Sequence, residues 1–169
     1  MESASREDSE MNPTRNDLPL ETRQRVVELL NARLADAIDL ARQAKQAHWN
    51  VKGPNFIALH ELFDEVHTEA LGFIDLIAER AVALGGYAEG ASATVAQRTT
   101  LPPAPAGIQA GSAHVEALSA TLASFAASVR KAESLAGELG DAGTADLFTE
   151  VSRGVDQRLW MVEAHLVEA

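Results

Sequence analysis

The sequence predicts an all-α protein: a four-helix bundle with one long crossover between its second and third helices. Three observations point there. Apolar residues recur every three or four positions through four long stretches, the period of a helix face rather than of a strand. The links between those stretches run short, long, short, so each short link joins antiparallel neighbours and the middle one can cross the length of a bundle. Aromatic residues make up only 5% of the chain against 46% hydrophobic overall, with Ala, Leu and Val dominant, which favours helix over sheet. At 169 residues the chain suits one domain with a real core.

In order, residues 1–17 are rich in Glu, Asp and Ser and read as a loosely attached acidic tail, leaving 18–169 for the bundle. Pro19 fits the first turn of a helix, where its missing N–H costs little. Val27, Leu30, Leu34, Ile38 and Ala41 form the seam of that helix, which extends to about residue 49. Gly53-Pro54-Asn55 ends it, and Asn55 is a candidate cap for the next. The second helix spans about 56 to 84, with Leu59, Phe63, Val66, Ala70, Phe73, Ile77, Ala81 and Leu84 inward, and Gly85-Gly86 stops it. Residues 87–109, with Pro102, Pro103 and Pro105, form the crossover, and Ala93 to Arg98 is a candidate short helix inside it. A third seam runs through Val115, Leu118, Leu122, Phe125, Val129, Ala132 and Leu139. Gly140-Asp141-Ala142-Gly143 breaks it, and Phe148, Val151, Val155, Leu159, Val162 and Leu166 make the fourth. Trp160, on the edge of that seam, is expected to pack. No internal repeat is present.

Five side chains able to bind metal lie between positions 48 and 79: His48, His60, Asp64, Asp75 and Glu79. His60 and Asp64 are one helical turn apart, as are Asp75 and Glu79. At about 100° per residue these four fall within an arc of about 100° on the second helix. Asp64 and Asp75 are nevertheless separated by roughly 16 Å along the axis, too far for one ion. Two copies of the helix packed antiparallel about a two-fold axis would place His60 and Asp64 of one chain opposite Asp75 and Glu79 of the other. The spacing therefore points to a metal site shared between subunits and to a symmetric dimer. The Glu-x-x-His motif of within-bundle iron sites does not occur; the nearest run is Asp64-Glu65-Val66-His67. Mixed imidazole and carboxylate ligands suit iron, zinc or manganese.

The run from His48-Trp49-Asn50 through His60-Glu61-Leu62-Phe63-Asp64, followed by Asp75-Leu76-Ile77-Ala78-Glu79-Arg80, closely resembles the ferroxidase segment of the Dps family. These are the DNA-binding proteins from starved cells, mini-ferritins with a ferritin-like bundle. Lys45-Gln46-Ala47 ahead of that run fits as well, and Thr144-Ala145-Asp146-Leu147-Phe148 through Arg158-Leu159-Trp160 is similar to the family's last helix. The resemblance spans about residues 15–167. It implies a hollow homododecamer, in the cytoplasm and associated with the nucleoid, that oxidises Fe(II), preferably with hydrogen peroxide, and stores ferric mineral. It also implies two iron ions per intersubunit site, with His48, His60 and Asp64 from one subunit and Asp75 and Glu79 from its dyad partner. Asp75 and Glu79 would hold the tighter ion, and His60 and Asp64 a second iron or a bound water; zinc or manganese can substitute. Trp49 resembles the tryptophan beside that site, a radical interceptor or an interface anchor. Lys45 is either an intersubunit ion-pair partner or a solvated lysine. Asp141, Asp146 and Glu150 resemble acids lining three-fold pores, and equally read as helix N-terminal acids favoured by the macrodipole. His67 is expected to pack at the surface or interface. No role attaches to His114 or His165.

The formal net charge of −11, from 14 basic and 25 acidic residues, opposes direct DNA binding, which relies on Lys and Arg displacing counterions from phosphate. The tail holds Arg6 and Arg15 against Glu2, Glu7, Asp8, Glu10 and Asp17. A chromosome-coating architectural protein is the rival reading, and its grip on DNA is expected to be weak or Mg²⁺-dependent. An acidic surface instead draws metal cations. With no cysteine, disulfides and thiolate metal sites are excluded. The polar start, without a secretory stretch, and the lack of any run of about 18 apolar residues fit a cytoplasmic protein outside membranes.

Overall fold

The computed structural model describes residues 11–166. Within them the four apolar seams become four long helices and the crossover carries one short one. These are α1 (Leu20–Asn50), α2 (Phe56–Ala83), α3 (Ser92–Arg98), α4 (Gly111–Glu138) and α5 (Ala142–Glu163). No strand occurs among the described residues, and none of their helices is long and apolar enough to cross a membrane. The antiparallel pairs are α1 with α2 and α4 with α5. Contacts of α1 with α4 and of α2 with α5 close the bundle, while α3 lies on α1. Phe63, Phe125, Phe148, Leu30, Leu34, Leu40, Ile77 and Leu122 fill the centre with almost no exposure. Each such side chain contributes roughly 1.5–3 kcal/mol by leaving water.

The element ends show where local signals act and where they do not. Pro19 stands at the N-cap of α1, one position before the helical turn expected for it, and its carbonyl accepts from the Arg23 N–H at 3.0 Å. Asn55 occupies the N-cap of α2, but its side chain makes no capping bond; only its backbone carbonyl serves, accepting from Leu59 at 3.0 Å. The last member of the fourth seam and the tryptophan on its edge turn outward. Leu166 lies past the end of α5, and Trp160 is 66% exposed because it shares an exposed stripe with Asp146, Glu150, Arg153 and Gln157, spaced by threes and fours.

The crossover is fastened to α1 by polar side chains along that helix. The Asn31 amide donates to the Tyr87 carbonyl (2.9 Å) and accepts from the Glu89 N–H (3.0 Å). Buried Asp36 accepts from the Thr100 N–H at 2.7 Å and pairs with Arg33 at 2.9 Å. Asp39 accepts from the Thr99 hydroxyl at 2.7 Å, and Gln43 donates to the Pro102 carbonyl at 2.9 Å. At the far end the Lys52 N–H donates to Gln109 (2.8 Å), pinning the crossover to the α1–α2 turn. Residues 11–17 of the acidic segment lie along the opposite end of the bundle, where the Asn12 N–H donates to the Gly85 carbonyl at 2.7 Å. Gly85 has φ +89°, and a Cβ on it would stand 2.6 Å from the Asn12 oxygen, so glycine is required twice over. Residues 1–10 of that segment lie outside the described residues.

Candidate metal centre

The short turn 51–55 folds the end of α1 back on the start of α2 and so brings His48 beside His60. Their rings stack with centroids 3.6 Å apart. Each is braced by the other's backbone: His48 Nδ1 lies 2.7 Å from the His60 carbonyl, and His60 Nδ1 lies 2.9 Å from the His48 carbonyl. A carbonyl only accepts, so both Nδ1 atoms carry a proton, and in the neutral ring the lone pair falls on Nε2. That tautomer is the one a metal-binding imidazole needs.

One turn beyond His60, Asp64 accepts from the Lys45 ammonium, which reaches across from α1. The ion pair holds the Asp64 carboxyl below its ordinary value of 3.8, against a smaller opposing push from burial; the charges of His48 and His67 add to the lowering. Within its own chain, then, half-buried Lys45 pairs with Asp64. An open groove runs along α2 from this point, lined by His48, His60, Glu61, Asp64, Glu65, Thr68, Glu69 and Arg158.

Asp75 and Glu79 stand apart from that group. Both are exposed further along α2, on the same face, and neither side chain makes a hydrogen bond or ion pair among the described residues. Nor, among those residues, do any three of His, Asp or Glu in one chain converge closely enough to hold an ion. The fold thus brings together His48, His60, Asp64 and Lys45 and leaves Asp75 and Glu79 facing outward. Trp49 is 69% exposed beside the histidines.

The three acids near α5 part company. Asp141 is 2% exposed; it accepts from the Arg80 guanidinium at 2.7 Å, from the Thr144 N–H at 3.0 Å and from the Thr144 hydroxyl at 2.5 Å. It is the N-cap of α5 and the counter-ion of α2's last turn. Asp146 and Glu150 are exposed one turn apart. Half-buried His67 donates from Nδ1 to the Ala41 carbonyl at 2.8 Å, tying α2 to α1.

Two further residues carry no local signal in the sequence. His114 is buried, and its Nε2 donates to the Ile108 carbonyl at 3.1 Å, holding the end of the crossover. Burial lowers its pKa below 6.5, and the Ile108 bond offsets part of that. Arg158 reaches from α5 to Glu69 and Glu65, 89 and 93 positions upstream, so no spacing rule connects them.

The ferritin-like domain family matches residues 27–169. A DNA protection during starvation protein of Agrobacterium fabrum is 46% identical over 155 residues, covering 92% of this chain and 96% of its own length. Another of that name from Brevibacillus brevis is 34% identical, covering 85% and 95%. Among solved structures, DpsC from Streptomyces coelicolor superposes with a TM-score of 0.91 at 32% identity, covering 99% of this chain and 98% of its own. Dps from Microbacterium arborescens in a high-iron form gives 0.83 at 31% identity, covering 94% and 100%. A bundle of this topology, a family match over most of the chain and relatives matched over nearly their whole length lead to one conclusion: the chain belongs to the Dps family of ferritin-like proteins.

Proposed function

We propose that two copies of this chain pack α2 against α2 about a two-fold axis, and that the shared sites so formed oxidise Fe(II) with hydrogen peroxide. The register of α2 carries this reading. Its outward stripe pairs residues equidistant from the point between Glu69 and Ala70: Ile57 with Val82, His60 with Glu79, Asp64 with Asp75, and Thr68 with Leu71. An antiparallel copy centred there sets each ligand opposite a ligand and covers Ile57, Leu71 and Val82, all exposed in the single chain. Gly72 fits the same picture. It lies inside the helix at a cost of about 1 kcal/mol relative to Ala, and nothing lies within 4 Å of where its Cβ would be. Close to the two-fold, that space admits the partner's backbone.

At each site His48, His60 and Asp64 of one subunit and Asp75 and Glu79 of the partner receive two Fe(II) ions as substrate. Arriving metal displaces the Lys45 ammonium from Asp64. Each Fe(II) gives up one electron; the O–O bond of peroxide takes both and breaks, and two protons complete two waters. Passing both electrons together avoids the one-electron step that releases hydroxyl radical. Trp49, beside the histidines, is placed to intercept any radical that does form. Twelve chains enclose the ferric product, and Asp146 and Glu150 line a three-fold entry, while Asp141 stays occupied as a cap. DNA is protected by removal of iron and peroxide, and zinc or manganese can occupy the same ligands.

The double variant Asp75→Ala/Glu79→Ala tests the site in stopped-flow oxidation of Fe(II) by peroxide. Its rate is expected to fall by roughly a hundredfold or more. A wild-type rate would show that these residues are not the site.

A further inference from the structure

We infer that Arg158 is a specificity-determining residue of the groove: by clamping Glu65 and Glu69 it denies those carboxylates to metal and confines cations to the side of His48, His60 and Asp64. The inference rests on the shared site proposed above. Four carboxylates line the groove, those of Glu61, Asp64, Glu65 and Glu69, and hard cations bind any carboxylate set that offers enough oxygens. Two protein cations answer them in different ways. Lys45 makes one contact, to Asp64, whose side chain is 44% exposed; a single ammonium on a flexible stem is readily displaced. Arg158 is 21% exposed and uses two nitrogens of its fork, Nε on Glu69 and Nη1 on Glu65 at 2.5 Å. A guanidinium keeps its charge at every pH the protein meets, and its planar fork holds both carboxylates together.

The clamp is built into the packing. Gly154 lies one turn before Arg158 on α5, and a Cβ there would stand 2.8 Å from Phe73 Cζ and 3.0 Å from Glu69 Oε1. Glycine lets α2 and α5 approach until Glu69 lies against α5, within reach of Arg158. The groove therefore contains a releasable counter-ion at the ligands and a fixed one beyond them.

The test is Zn²⁺ binding by the assembled protein, measured by equilibrium dialysis and calorimetry. Arg158→Gln is expected to bind about one more Zn²⁺ per chain than the wild type. The surplus should vanish in Arg158→Gln/Glu65→Gln/Glu69→Gln. Equal stoichiometry in Arg158→Gln and the wild type, with particle size unchanged, overturns the inference, as does a surplus that survives in the triple variant. If Arg158→Gln fails to assemble, Arg158→Lys decides. Its charge remains but cannot bridge both carboxylates, so weaker surplus binding is expected and none overturns the inference. Asp75→Ala in the wild-type background reads the shared site separately: unchanged Zn²⁺ binding there refutes that site, whereas the Arg158 comparison is a difference measured beyond it.

Discussion

His48 and His60 show how single side chains are prepared by their neighbours. Each Nδ1 is committed to a backbone carbonyl, which fixes the orientation of both rings and turns each Nε2 away from the chain's own hydrogen bonds. Asp64 is prepared by charge. Lys45→Met should raise the Asp64 pKa back towards 3.8, read from its carboxyl carbon in an NMR titration. With a folded value below the unfolded one, the pair's stabilisation is present above pH 3.8 and fades as pH falls through the lower folded value. His114 works on the acid side of neutrality. Its folded pKa is depressed by burial, so its contribution is complete above 6.5 and lost as pH falls below that. The small cavity beside it is lined by Gln43, Gln46, Ala47, Ala104, Pro105, Ile108, Ala117 and Leu118, with no carboxylate to balance a proton. His114→Gln should therefore flatten the fall in melting temperature as pH drops below 6.5. The His60–Asp64 and Asp75–Glu79 pairs were legible in the sequence because each lies on one helix, where spacing is geometry. The roles of His114 and Arg158 were not, because their partners come from other elements.

At the scale of helices, junctions carry more than the seams do. Asp141→Ala removes the cap of α5 and strands Arg80, and should destabilise the protein by about 3 kcal/mol in denaturant unfolding. A loss under about 0.5 kcal/mol would mean that Arg80 finds another partner. Gly154→Ala improves local helix propensity by about 1 kcal/mol. The added methyl nevertheless meets Phe73 and Glu69, and overpacking of about 1–3 kcal/mol should make the variant less stable on balance. The order and near-boundaries of the helices followed from apolar period and loop composition, including the short helix in the crossover, because burial enforces period along the whole length of each element. Their ends followed less well. Asn55 has the right chemistry for a cap but makes no side-chain bond, and Trp160 lies one position off the buried face. The polar row from Asn31 to Gln43 that fastens the crossover was invisible, since hydrogen-bonding side chains on a helix read as ordinary surface until their partner is known.

For the whole molecule, charge and symmetry decide the behaviour. Arg33, Lys45, Arg80, Arg98, Arg130 and Arg158 are already engaged in ion pairs, and the acidic excess of a chain of net charge −11 opposes phosphate. No gel shift of duplex DNA is expected at low salt without Mg²⁺; a shift in its absence would reveal a basic surface created by assembly. Twelve chains of 18.0 kDa should elute as a particle of roughly 216 kDa, and Gly72→Leu, which fills the space at the two-fold, should break it into smaller species. The spacing of acids and histidine on α2 is what suggests a two-fold pair in the sequence, whereas a twelve-chain shell is implied only by the family resemblance. One consequence of that spacing concerns mixtures of damaged chains. A chain lacking His60 and Asp64 keeps Asp75 and Glu79, and a chain lacking the second pair keeps the first. Dissociated and reassembled together, His60→Ala/Asp64→Ala and Asp75→Ala/Glu79→Ala chains would form hybrids with one site stripped of both pairs and one intact. Two inert preparations would complement each other, recovering about a quarter of the wild-type sites under random pairing.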